Sequence, residues 1–361
     1  MKKKFFVTAV TLMIVIMSSF SVFAVGKIDG DSNLYIKTAI CPQEYIEFAN
    51  TNISGFVESY CENNISDSNL IVGSPFSFAD VEPDVFYFPV ICNGRIICLF
   101  RVYRNDNKLN GAISDFLAKE LDSLAYLTST QYPMLLKRIK NEIVAQIDTE
   151  TYTLFSYPDE AILTEYGTNY DIATNTAFAV VNAKTDSKLN IHLPVSGQAL
   201  TNTWSHYIAL SITEIQDKQN NWCAAFCTAA ILRTLGYSST AEGVMTVFYR
   251  RPTAANSITR SQVVECANLR GLHPIDVEAT ISTQTLIDEI TADRPVYLSM
   301  QGSERSHAVV LRGYNARRST WSIWNPWFDT YETFSMGGVY VPTGYPSSSA
   351  YTYARTIYNW A

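Results

Sequence analysis

All six tryptophans of this 361-residue chain, Trp204, Trp222, Trp321, Trp324, Trp327 and Trp360, fall after a polar stretch at 183–203 (AKTDSKLNIHLPVSGQALTNT). That stretch is broken by Pro and Gly and carries no hydrophobic period, which reads as a linker. A change of composition across a linker means two regions with different cores, and no internal repeat or low-complexity tract argues otherwise. The boundary falls between about 185 and 208, giving a front region 25–190, a linker 191–205 and a back region 206–361. With 47% apolar and 17% charged residues, both regions can bury a core rather than remain disordered.

The first residues read as a secretory signal, 1–24. Lys2, Lys3 and Lys4 form a positive n-region, Phe5 to Met17 an apolar run, and Val22-Phe23-Ala24 supplies small residues at the cleavage positions. The apolar run is too short to span a bilayer comfortably, and no later stretch approaches that length, so the expectation is an exported protein with no membrane in its mature form. Removing the signal takes three lysines and no acid, leaving 24 Lys and Arg against 34 Asp and Glu, a net charge of about −10. A basic patch is the first requirement of nucleic-acid binding, so nucleic acid is excluded as a partner.

Export permits disulfides, but seven cysteines (Cys41, Cys61, Cys92, Cys98, Cys223, Cys227, Cys266) leave at least one thiol free. Cys92-Asn93-Gly94-Arg95 marks a two-residue hairpin turn. In that register Cys92 faces Arg95 and Cys98 faces Pro89 on the other side of the ribbon, which argues against a Cys92–Cys98 bridge. The front region otherwise alternates signals. Strands are expected at Val85–Val90, Ile96–Val102 and Thr151–Ser156. A helix is expected over 112–127, with Ile113, Phe116, Leu117, Leu121 and Leu124 on one face. A second should begin at Pro133 and run through Leu135, Ile139 and Ile143.

Chemistry concentrates in the back region. Residues 223–235 (CAAFCTAAILRTL) suit a helix, with Asn220 or Asn221 as N-cap and Gly236 ending it. Cys223 then sits in the first turn, where the dipole and unpaired N–H groups favour a thiolate and can hold an oxyanion. Cys227, one turn on, is a core residue or a partner for Cys266. A thiol nucleophile needs an imidazole, and the imidazole needs an orienting acceptor. His192 lies in the linker, His206 just past it, and His273 in a turn with no evident Asn or Asp partner. His307 opens a buried-strand pattern (AVVL), followed by a turn-rich segment and a second strand, Trp321–Trp324, ending at Asn325. A hairpin centred near Ala316 places His307 opposite Asn325, within side-chain hydrogen-bonding range, with Trp327 able to shield the bond.

Trp222-Cys223-Ala224-Ala225-Phe226, Ser306-His307-Ala308-Val309-Val310 and Trp324-Asn325-Pro326-Trp327, in that order, resemble the three signature segments of papain-like cysteine peptidases, and within them the secreted staphopain group. The likeness covers about 206–361. It implies an α+β papain-like domain, a helical part beginning at Cys223 packed on a twisted antiparallel sheet, with the cleft between them. By that resemblance Cys223 is the nucleophile, His307 the base and then acid, and Asn325 the orienter. The family also places a Gln in the oxyanion hole, usually six residues before the Cys. Here that position is Asp217, so the role passes to Gln216, with Gln219 the alternative. Ser306 stands where a Gly often precedes the His. The front region resembles the staphopain propeptide through its hairpin Phe86–Val102 and the helix behind it, which implies an α+β inhibitory prodomain over the cleft.

The expectation is therefore a secreted, monomeric cysteine endopeptidase made as a zymogen. It would act on protein or peptide substrates, with its own prodomain as inhibitor. Nothing calls for a cofactor, and no Cys/His cluster has metal-ligand spacing. Three rivals are a papain-fold amidase or acyl transferase, an inactive Tyr-rich extracellular binding protein (22 Tyr), and a leader peptidase, which would normally be joined to a membrane transporter.

Overall fold

The computed structural model describes residues 33–62, 70–79, 84–139, 142–156, 177–184, 189–191, 204–216, 220–303, 305–344 and 350–361. The signal, His192, Asp217 and Gln219 lie outside the described residues.

The front half opens with β1 (Tyr35–Ala39) and α1 (Gln43–Tyr60), whose buried Tyr45, Ala49, Ile53 and Phe56 repeat at helical spacing. Then come β2 (Leu70–Val72), β3 (Val85–Cys92), β4 (Arg95–Asn105) and β5 (Lys108–Ser114). Asn93 and Gly94 take φ of 51° and 74°, the backbone a tight two-residue hairpin requires. Cys92 faces Arg95 as the turn predicts, but a bulge after Val90 sets Cys98 against Val90 rather than Pro89. None of the seven cysteines forms a disulfide.

Two expected helices give way here. Of 112–127, only α2 (Ala118–Leu124) and a 3-10 turn (Ala125–Leu127) are helical. Ile113 lies in β5 between Phe100 and Thr333, so sheet pairing on both sides outweighs the helical spacing of its side chain. The helix expected from Pro133 is a hairpin of β6 (Leu135–Ile139) and β7 (Glu142–Ile147), extended by β8 (Glu150–Ser156). Leu135 and Ile139 share one face of β6, while Ile143, across the turn and opposite Arg138, is buried on the other face with Leu136, so the every-fourth spacing does not mark one buried face. The half ends in β9 (Phe178–Asn182) and β10 (Leu189–Ile191). β10 pairs with β2, so part of the polar stretch belongs to the front-half sheet.

The back half contains β11 (Ser205–Tyr207), α3 (Cys223–Thr234), α4 (Ala241–Thr246), α5 (Arg260–Asn268), β12 (Ile275–Val277) and α6 (Thr283–Thr291). Five strands follow: β13 (Val296–Gln301), β14 (Ser306–Asn315), β15 (Thr320–Trp324), β16 (Tyr331–Ser335) and β17 (Thr352–Tyr358). α3 carries fully buried Ala225, Ala229 and Ala230, small enough to let the helix lie close on β13 and β14. No helix among the described residues is long and apolar enough to cross a membrane.

One antiparallel sheet of 12 strands runs through both halves in the order β10-β2-β3-β4-β5-β16-β15-β14-β13-β17-β12, with β11 on β14. The join is β5 against β16, where Ile113 meets Thr333 and Ala112 meets Phe334. Polar contacts reinforce it. Arg312 reaches Glu62 at 2.6 Å, Arg318 pairs with Glu58, and Thr320 Oγ1 donates to Ser59 Oγ at 2.9 Å. Residues 33–361 accordingly form one compact unit. This mixed α/β, mostly antiparallel architecture is compatible with the expected papain-like class.

Candidate active site

The start of α3 is set by the loop before it. Asn221 N donates to Ala254 O at 2.8 Å, Trp222 Nε1 to Thr253 O at 2.9 Å, and Trp222 N to Asn220 Oδ1 at 3.2 Å. These bonds fix Trp222 as N-cap, with no side-chain cap, so Cys223 is the first helical residue. The expected Asn cap is displaced: the Asn220 side chain accepts from Trp222 N, one residue short of the helix. Gly236, with φ of 91°, closes the other end as expected.

Cys223 packs partly buried under β14. Burial pushes its thiol above the usual range, while the N–H groups of Ala308, Ala224 and Cys223 itself pull it down. Burial wins. The first-turn N–H groups act in the direction expected, against the larger effect of burial.

His307 is 4% exposed, on β14 beside Ala308. Its Nε2 donates to Asn325 Oδ1 at 2.9 Å. The ring stacks on Trp327 with centroids 4.0 Å apart and lies 5.7 Å from the ring of Tyr351. Burial lowers its pKa to about 4, against the pull of the Asn325 hydrogen bond. Burial thus disfavours the charged form of both groups.

Asn325 is fully buried, but it does not reach His307 by the route expected. The β14–β15 hairpin pairs Val310 with Trp324 and Leu311 with Ile323, then shifts by a bulge. Its centre lies beyond Ala316, and Asn325 follows the end of β15 rather than facing His307 in the ladder. The side chains meet because the Asn325–Phe328 turn folds back. Phe328 N donates to Asn325 O at 3.0 Å, Trp324 Nε1 to Phe328 O at 2.9 Å, and Trp327 N to Asn325 Oδ1 at 3.1 Å. Phe116 and Phe155 of the front half back this turn, at 4.6 and 5.6 Å from the Phe328 ring.

Gln216 sits near the same turn, its N–H donating to Pro326 O at 2.7 Å. Its Nε2 donates to Asn220 O at 2.5 Å, which leaves a second N–H on the carboxamide. Its Oε1 is buried without a hydrogen-bond partner among the described residues. Gln216, Cys223, His307 and Trp327 all line one cleft of about 770 Å³, whose described lining residues run from Gln216 to Arg355. No described residue of the front half lines it.

His206 and His273 stay apart from this cleft. His206 Nε2 lies 2.7 Å from Asp293 Oδ1 at the surface. His273 has a partner that sequence did not reveal, Asn268 Oδ1 at 3.3 Å. Sequence reading also missed a buried group behind Asn325, formed by Tyr340, Glu332 and Arg101. Their separation along the chain and the lack of any motif left no signal to find them.

Residues 209–347 match the model of the Peptidase_C39 like family. Over 356 residues the chain is 21% identical to staphopain B of Staphylococcus aureus strains MSSA476 and N315, and 20% identical to that of strain COL. Each match covers 88% of this chain and 88% of the relative.

Proposed function

Because the chain is a relative of the papain-like cysteine peptidases, matching staphopain B over most of its length, we propose that it is a secreted cysteine endopeptidase made as a zymogen. Cys223 is the nucleophile, His307 the base and then acid, Asn325 the orienter, and Gln216 an oxyanion donor. The observation that carries this is the bond from His307 Nε2 to Asn325 Oδ1. With the proton held on Nε2, Nδ1 is left as the acceptor, in the cleft that Cys223 shares.

The steps follow from that tautomer. Nδ1 takes the thiol proton as Sγ attacks the scissile carbonyl, and the oxyanion is met by the first-turn N–H groups of α3 and by Gln216 Nε2. The imidazolium returns its proton to the leaving amine, giving a thioester and a free amino terminus. Water, deprotonated by His307, then attacks the thioester. It releases the carboxylic acid and restores the thiol. The preceding half acts as the inhibitory segment, with 191–205 the stretch cut on maturation.

To test the reading, the exported protein is incubated with an epoxysuccinyl thiol-protease inhibitor and the adduct mapped by mass spectrometry. An adduct on Cys223 together with loss of casein cleavage is expected. No adduct after processing of the linker would favour an extracellular binding protein instead.

Two predictions belong here. Gln216→Ala is expected to lower kcat by about a hundredfold with KM little changed, since an oxyanion donor acts on the transition state. A wild-type kcat would pass the role to another donor. For the pH profile, the sign follows from His307. Protonation removes the base, and the buried ring protonates only near pH 4. The acid limb of kcat/KM is therefore expected near pH 4, and a limb near the ordinary imidazole value would contradict it.

A further inference from the structure

Behind Asn325 lies a chain of buried polar groups that the proposed steps do not use. Asn325 Nδ2 donates to Tyr340 Oη at 2.7 Å, and Tyr340 Oη in turn donates to Glu332 Oε2. Glu332 Oε1 accepts from Thr343 Oγ1 at 2.5 Å and from Thr343 N at 3.2 Å, with the Arg101 guanidinium 3.7 Å away. Asn325, Tyr340 and Glu332 are all buried. Tyr340 is fixed from its own backbone, which exchanges hydrogen bonds with Tyr351 at 2.8 and 2.7 Å.

Taking the proposed triad as its premise, we propose that Tyr340, aimed by Glu332, is a positioning residue that fixes the orientation of the Asn325 carboxamide and hence which nitrogen of His307 carries the proton.

The argument is one of donor direction. A carboxylate only accepts, so the Tyr340 proton points at Glu332 and a lone pair faces Asn325. Burial and the neighbouring carboxylate push the Tyr340 hydroxyl well above its ordinary range, so that proton stays in place. Nδ2 must then be the atom that meets Tyr340, which turns Oδ1 toward His307 and the Trp327 N–H. A flipped carboxamide would set Nδ2 against the Trp327 N–H and Oδ1 against a hydroxyl oxygen with no proton to give. Two buried mismatches make that state unfavourable. With Oδ1 facing the ring, Nε2 must donate, and Nδ1 remains the acceptor the thiol needs. Arg101, from β4, supplies the cation beside Glu332. The front half thus contributes to the arrangement although it does not line the cleft among the described residues.

Tyr340→Phe removes one oxygen and keeps the ring. In the full chain labelled with ¹⁵N-histidine, the unsubstituted His307 is expected to show the Nε2-protonated tautomer, and Tyr340→Phe a mixture. Kinetically, Tyr340→Phe is expected to lower kcat about tenfold, with KM within about twofold, as befits a lost buried hydrogen bond. In an Asn325→Ala background it should cost nothing more, because the hydroxyl acts only through that carboxamide. Glu332→Gln, which can also donate, should give an intermediate tautomer mixture and serves where Tyr340→Phe does not fold. An unchanged tautomer, or a full additional loss in the Asn325→Ala background, overturns the proposal. A chain that never labels at Cys223 sinks the peptidase reading alone, since the tautomer is read without turnover.

Discussion

Cys223→Ala is expected to cut casein hydrolysis by at least about ten-thousandfold, because residues that act as one catalytic unit fail together when the nucleophile is lost. His307→Ala should cost a similar factor, and the double variant little more, since neither group is useful without the other. The same Cys223→Ala chain should accumulate uncut near 185–208 if maturation is self-catalysed. Initial rates on casein and the mass of the secreted product measure both. Activity within about tenfold of the parent would leave Cys223 a packing residue, one apolar contact among those of α3. Normal processing of an inactive variant would assign the cut to another protease.

The second large effect is on stability. Arg101 and Glu332 are each 1% exposed and lie 3.7 Å apart, one from each half of the sheet. No Arg101 nitrogen has a hydrogen-bond partner among the described residues, so Glu332 is its counter-charge. Glu332→Leu leaves a buried guanidinium without it and is expected to lower unfolding stability by about 3–5 kcal/mol, the usual result of removing one member of a buried pair. Arg101→Met should also destabilise, by leaving the carboxylate to Tyr340 and Thr343 alone. The double variant should be less damaging than the sum of the singles by about 2 kcal/mol or more, since neither charge is then stranded. Denaturant unfolding of the inactive Cys223→Ala chain, which cannot digest itself, provides the measurement. Strict additivity would mean that the two charges do not interact.

How much of this was legible beforehand depended on how local each signal was. The Asn93-Gly94 turn was readable because two adjacent residues fix its backbone. The start of a helix at Cys223 was readable from alanines and a following glycine, although the cap was misplaced because asparagine side chains can tie a loop as well as cap a helix. His307 and Asn325 were paired for a partly mistaken reason. The predicted ladder register does not exist, and the Asn325–Phe328 turn brings the groups together instead. The expected helix at Pro133 failed because its apolar residues lie on two strands and opposite faces, with Ile143 buried and Ile139 exposed. Tyr340, Glu332 and Arg101 were invisible for a different reason. Arg101 is more than two hundred positions from Glu332, and only the β5–β16 junction makes them neighbours. The thiol's final balance was also beyond sequence, since burial depends on what packs over the sulfur.

The junction of β5 with β16 has a consequence for how such a molecule could ever be activated. Severing the backbone ahead of Ser205 would free an end but detach nothing, because the two pieces remain zipped by strand pairing and by the carboxylates of Glu62 and Glu58 clasping Arg312 and Arg318. Departure of the leading piece would have to peel one strand off another, and what it leaves is a raw sheet margin at Thr333 and Phe334 with its amides and carbonyls unclaimed. Such margins recruit strands from elsewhere. The liberated product would thus carry, on the flank away from its cleft, a seam ready to accept a foreign extended segment.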